Sequence, residues 1–269
     1  LNSPFQHAFV ALLVLALLSG CARPLANLEQ SVARRAGQIE IIHTSAFDLV
    51  SASTLGASQA DLLRVYIEGD GKAWATRTQP STDPSPRNLL MANLALADSM
   101  PSIYLARPCQ FHKSDGCGVA VWTDQRFSAA VIQSFNEAVD KLKARHGANT
   151  LQLIGYSGGG YVAMVLAGER DDVQSVRTLA GNLDPAEWTR HHHLSPLSGL
   201  RDYKQLPRLQ SLPQHHFVGS ADEIVPPALV ESFVRKYGLR CAAVTNIQAT
   251  HESGWAGMSK ALAEPAKCL

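Results

Sequence analysis

What this sequence lacks narrows it first. Its 269 residues carry no excess charge: 24 Lys+Arg stand against 23 Asp+Glu, the formal charge is +1, and the basic residues are scattered. Nothing in that balance favours nucleic acid or an acidic partner. No repeat, low-complexity tract or composition shift interrupts residues 22–269, so a single domain of ordinary globular composition, 46% hydrophobic and 17% charged, is expected. Residues 8–18 are all apolar, but eleven residues are too few to cross a hydrocarbon core of ~30 Å. No C-x-x-C pair gives the cysteines a zinc-site spacing, and no metal or cofactor is implied. Neither G-x-G-x-x-G nor G-x-x-x-x-G-K-[ST] occurs, which removes the dinucleotide and Walker phosphate loops.

Too short to span, the apolar run reads as the core of a signal peptide covering residues 1–20. It ends in "LLSGC", residues 17–21, where Ser19 and Gly20 stand directly before Cys21. This resembles the bacterial lipobox, although the segment before the run has His7 and no Lys or Arg. The resemblance implies cleavage before Cys21, a diacylglyceryl group on its thiol, and a periplasm-facing protein anchored to a membrane. Ala22 and Arg23 stand where inner-membrane retention uses Asp, which points to the outer membrane. Residues 21–38, small, polar and charged, suit a tether, and residues 39–269 make the domain. Four cysteines remain, and an even remainder in an exported protein suits disulfides. Of three pairings, nearest neighbours are expected: Cys109 with Cys117, and Cys241 with Cys268.

Apolar and β-branched runs predict strands at 39–42, 47–51, 62–67, 102–106, 151–155, 176–180, 215–218 and 243–248. Helical spacing predicts helices at 87–99, 127–146, 159–170, 227–237 and 254–263. Strands alternating with helices imply a mainly parallel sheet covered on both faces, with an antiparallel start where the first two strands follow each other directly. Residues 78–88 are proline-punctuated and predict a surface loop. Residues 181–212 have no clear period and form an excursion that can cover a site.

The chemistry gathers at "LIGYSGGG", residues 153–160, where a strand turns at once into a helix. Gly155, Ser157 and Gly159 match G-x-S-x-G, the nucleophile elbow of the α/β-hydrolase superfamily, and the chain resembles that superfamily over residues 62–263. The resemblance implies a mainly parallel central sheet with helices on both faces, and a triad in the order serine, acid, histidine. "GSADEIVPP", residues 219–227, resembles the family's acid loop and places Asp222, with Glu223 and Asp184 as alternative acids. His251 follows the last predicted strand, where the family keeps its base; His191, His192, His193, His215 and His216 lie too early. In this arrangement His251 takes the Ser157 proton, Asp222 fixes the imidazole, and an acyl substrate passes through an acyl-enzyme.

The oxyanion needs two N–H donors, Gly158 after the nucleophile and one from the loop at residues 65–71. Many family members carry H-G-x-G there; this chain has Glu68-Gly69-Asp70-Gly71, which makes the Asp70 N–H the second donor. A carboxylate so near the developing oxyanion is unfavourable unless its side chain turns away. The resemblance leaves the substrate open: a carboxylic ester of small or medium size, a peptide, a thioester, or a non-catalytic surface lipoprotein using the fold for binding.

Overall fold

The computed structural model describes residues 24–54, 60–264 and 266–268. The expected signal segment and Cys21 lie outside the described residues. Eight strands form one sheet: β1 (Gln38–Ile42), β2 (Leu49–Ser53), β3 (Leu62–Ile67), β4 (Ser102–Leu105), β5 (Thr150–Tyr156), β6 (Val173–Leu179), β7 (Gln214–Gly219) and β8 (Ala242–Ile247). Their order is β1-β2-β4-β3-β5-β6-β7-β8. β1 pairs antiparallel with β2 and β2 antiparallel with β4, while every pairing from β4 to β8 is parallel. The antiparallel start is therefore present, and seven strands, all but β2, point their carboxyl ends to one rim.

Alternation sends successive strand side chains to opposite faces. Leu63, Val65 and Ile67 of β3 join one core with α4 (Ala129–Arg145), α5 (Gly158–Glu169) and α7 (Pro227–Lys236). Tyr66 of β3 and Ile154 of β5 join the other, with α1 (Pro24–Ala33), α2 (Leu90–Ala97) and α8 (Ser259–Ala263). Two shorter helices complete the set, α3 (Val119–Trp122) and α6 (Pro185–His191). Disulfides join Cys109 to Cys117 and Cys241 to Cys268.

The structure corrects the tether. Residues 24–33 form α1, because Leu28 and Val32 stand one turn apart and both are buried against the domain. Each contributes about 1.5–3 kcal/mol on burial, which fixes the segment to the domain. Ser31 adds a 2.7 Å hydrogen bond to Asn93 Oδ1 on α2. The proline loop also differs from a plain surface loop. Pro84, Ser85 and Pro86 are buried, because Lys72 N–H and Gln110 Nε2 both donate to the Pro84 carbonyl and Ser85 Oγ accepts from Phe111 N–H.

Candidate active site

Three chain segments meet at the carboxyl rim. β5 ends at Tyr156 and α5 begins at Gly158, which leaves Ser157 alone to reverse the chain. It does so at φ 50° and ψ −123°, a strained conformation for a residue with a Cβ. The turn is held from both sides: Ser157 N–H donates to Leu179 O at 3.1 Å, and Ser157 O accepts from Asn182 N–H at 2.9 Å. Glycine is required beside it for space. A Cβ on Gly155 would lie 2.4 Å from Gly159 O, and one on Gly159 would lie 2.5 Å from the carbonyl oxygens of Ile67 and Glu68.

Asp222 follows β7 and is buried. Its Oδ1 accepts the N–H groups of Ile224 at 2.9 Å and Val225 at 2.8 Å, which locks the carboxylate in place. Its Oδ2 lies 2.8 Å from His251 Nδ1, and His251 Nε2 lies 3.0 Å from Ser157 Oγ. A carboxylate only accepts, so the proton sits on Nδ1 and Nε2 is free to accept from the serine. The His251 carbonyl receives Tyr156 Oη at 2.8 Å and Trp255 Nε1 at 3.0 Å, and these bonds orient the histidine loop. The alternative acids are committed elsewhere. Asp184 caps α6 through Glu187 N–H at 3.1 Å and pairs with Lys236 at 2.8 Å; Glu223 is exposed.

A cleft of about 710 Å³ opens over Ser157 and His251. Trp188 of α6 lines it, so the aperiodic excursion does reach the site, and Trp74, Arg87 and Ile224 stand on other walls. The Trp188 indole is pinned by a 2.6 Å hydrogen bond to Ile224 O. The remaining histidines do not join the group: His192 Nε2 lies 2.9 Å from Ile224 O, and His215 lies 2.8 Å from Thr245 Oγ1. His216 is enclosed between Thr178 and Gln214, and burial pushes its pKa down to about 3.

The glycine loop after β3 lies against the elbow. Among the described residues, neither the Gly158 nor the Asp70 N–H has a hydrogen-bond partner, whereas Gly69 N–H donates to Glu68 Oε1 at 2.9 Å. The Asp70 side chain does not turn away from the elbow. It packs on the elbow, so that a Cβ on Gly158 would lie 2.1 Å from Asp70 Oδ1. What makes this tolerable is a pair of cations: Arg107 Nη1 lies 3.2 Å from Asp70 Oδ1 and Arg126 Nε lies 2.9 Å from Oδ2. Burial pulls the Arg107 pKa down to about 10, with Asp70 opposing the shift. Beneath the loop, burial raises the Glu68 pKa to about 7, against the Gly69 N–H, the Tyr104 hydroxyl and Arg107, which favour its ionised form. Sequence reasoning misses both arginines. The available signal is that Asp70, beside the elbow, requires a counter-charge.

No protein-family model and no curated protein matches the chain. Solved structures do. The esterase domain of a Rhodothermus marinus protein aligns with a TM-score of 0.58 at 15% identity, covering 84% of this chain and 95% of that one. Est1E from Butyrivibrio proteoclasticus gives 0.56 at 14%, covering 83% and 95%. A lidless α/β serine hydrolase from Xanthomonas campestris gives 0.51 at 14%, covering 80% and 85%. The chain has the α/β-hydrolase fold. In this α/β-hydrolase fold the serine, acid and histidine loops leave β5, β7 and β8 at the same rim, in that chain order.

Proposed function

We propose that the protein is a serine hydrolase that cleaves carboxylic esters through an acyl-enzyme. The observation that carries this reading is the unbroken hydrogen-bonded line from Asp222 through His251 to a serine held in a strained turn. Ser157 Oγ attacks the ester carbonyl carbon while His251 Nε2 takes its proton. The carbonyl oxygen becomes an oxyanion, which the N–H groups of Gly158 and Asp70 receive. The intermediate collapses, the carbon–oxygen bond to the alcohol breaks, and the His251 proton leaves with the alcohol. Water then repeats the sequence on the acyl-enzyme, releasing the carboxylic acid and restoring Ser157.

The open cleft and the absence of a long apolar cover among the described residues support small or medium esters. A panel of p-nitrophenyl esters of graded chain length, run beside peptide and thioester substrates, tests this. Ester turnover that vanishes in Ser157→Ala supports it. A folded protein that cleaves only peptides or only thioesters sinks the ester assignment and keeps the nucleophile.

We further propose that Cys21 is lipidated and holds the protein at the periplasmic side of a bacterial membrane, the outer membrane being favoured by Ala22 and Arg23. Two disulfides agree with an oxidising compartment. Cys21→Ala is expected to release the protein from the membrane fraction; tight membrane association of that variant would argue against the anchor.

A further inference from the structure

A carboxylate is an awkward neighbour for an oxyanion, because it opposes the charge that develops in the transition state. Asp70 nevertheless stands on the loop that offers the second N–H, with its carboxylate against Gly158. Two buried guanidiniums hold it there, from Arg107 and Arg126. The three groups together carry one net positive charge. Neither arginine belongs to the glycine loop: Arg107 follows β4 and Arg126 precedes α4, and the chain between them is clipped by the Cys109–Cys117 disulfide. Inside the clip, Gln110 Nε2 donates to Gly69 O at 3.0 Å. The two arginines also brace each other, through a hydrogen bond from Arg107 Nη2 to the Arg126 carbonyl. Arg126 Nη1 donates to Thr123 O at 2.8 Å, which ties the guanidinium to its own loop.

We propose that Asp70 is a positioning residue for the oxyanion site: clamped by Arg107 and Arg126, its carboxylate docks the glycine loop on Gly158 and fixes both free N–H groups relative to Ser157. The guanidiniums at the same time reverse the local charge from negative to positive. The clamp takes the place of the histidine-led loop that this chain lacks. It rests on the serine-hydrolase reading and goes beyond it, since an oxyanion site needs only backbone donors.

The test uses the full chain and a fluorophosphonate probe, so no natural substrate is needed. Ser157 Oγ bonds to phosphorus, fluoride leaves, the serine proton passes to His251, and the phosphoryl oxygen occupies the oxyanion site. Asp70→Asn keeps shape and backbone N–H and removes the charge. Its maximum labelling rate per folded molecule is expected to fall about 10²-fold or more, with the half-saturating probe concentration changed by less than about threefold. Arg126→Lys, which keeps a charge but loses the planar fork, is expected to fall about tenfold in the same parameter. A purely structural role would reduce the folded fraction and leave the rate per folded molecule alone. An Asp70→Asn protein labelled at the wild-type maximum rate overturns the proposal. If that variant does not fold, an unchanged maximum rate in Arg126→Lys overturns it equally. A folded wild type that takes no label overturns the serine-hydrolase reading and the clamp together, whereas a labelled wild type with indifferent variants overturns the clamp alone.

Discussion

The sheet holds a buried arginine cluster at each end, and the two differ in what they face. At the amino ends of the strands, Arg64 Nη1 donates to both oxygens of Asp98 at 3.0 Å, and its Nε donates to Gln152 Oε1 at 3.0 Å. Arg64 Nη2 reaches Ala263 O at 3.2 Å and Arg177 Nη2 reaches Glu264 O, so both cations cap the carboxyl end of α8. Tyr66 Oη closes the group with a 2.7 Å bond to Asp98. At the carboxyl ends, Arg107 and Arg126 each lie against one oxygen of Asp70. Each trio of two arginines and one aspartate totals +1. The lower charges are absorbed by carbonyl groups of the last helix, while the upper cluster borders a cleft and two unpaired N–H groups. One kind of ion pair is structural where its neighbours are protein acceptors, and is placed to act on a reaction where backbone donors beside it remain free.

Substitutions at the two ends separate these roles. The largest loss of stability is expected from Asp98→Ala, which strands Arg64 and the Tyr66 hydroxyl; about 3–5 kcal/mol should disappear in denaturant unfolding. Its labelling rate per folded molecule should stay at the wild-type value, and a fall there would erase the contrast. Asp70→Asn is the mirror case, with its main loss in labelling rate.

A smaller, pH-graded effect is expected from Glu68, whose carboxylate faces the Gly69 N–H, Tyr104 and Arg107. Burial raises its pKa from 4.5 to about 7, so the folded protein binds a proton that the unfolded chain has released. The stabilising contribution is complete below the unfolded pKa and is lost as pH rises through the folded one, by up to about 3 kcal/mol. Glu68→Gln mimics the protonated group, and the difference in stability between variant and wild type should grow from pH 4.5 to 7. A constant difference over that window would mean that Glu68 keeps its charge throughout.

Much of the fold is legible in the sequence because its signals are local. Each of the eight strands stands where an apolar, β-branched run predicts it, to within about three residues at either end. The meeting of Ser157, Asp222 and His251 at one rim can be anticipated because a strained turn imposes glycines at fixed offsets and the loops follow predicted strands. Helix α1 escapes that reading, since it is short and only Leu28 and Val32 of its apolar side chains are buried. The Asp70 clamp escapes it for a different reason. Arg107 lies 37 residues from its partner, and Arg126 reaches the same carboxylate from beyond a disulfide loop. No periodicity or motif spacing encodes a pairing made only when β3, β4 and the start of α4 are assembled.

The proposed function stands on Ser157 as a nucleophile activated by His251 and Asp222. Mass spectrometry of the fluorophosphonate-treated protein tests it most directly by locating the adduct. One adduct is expected, on the peptide carrying Ser157, absent from Ser157→Ala and slowed about 10³-fold or more in His251→Ala. A folded wild-type protein that carries no adduct, or carries it on another residue, would contradict it.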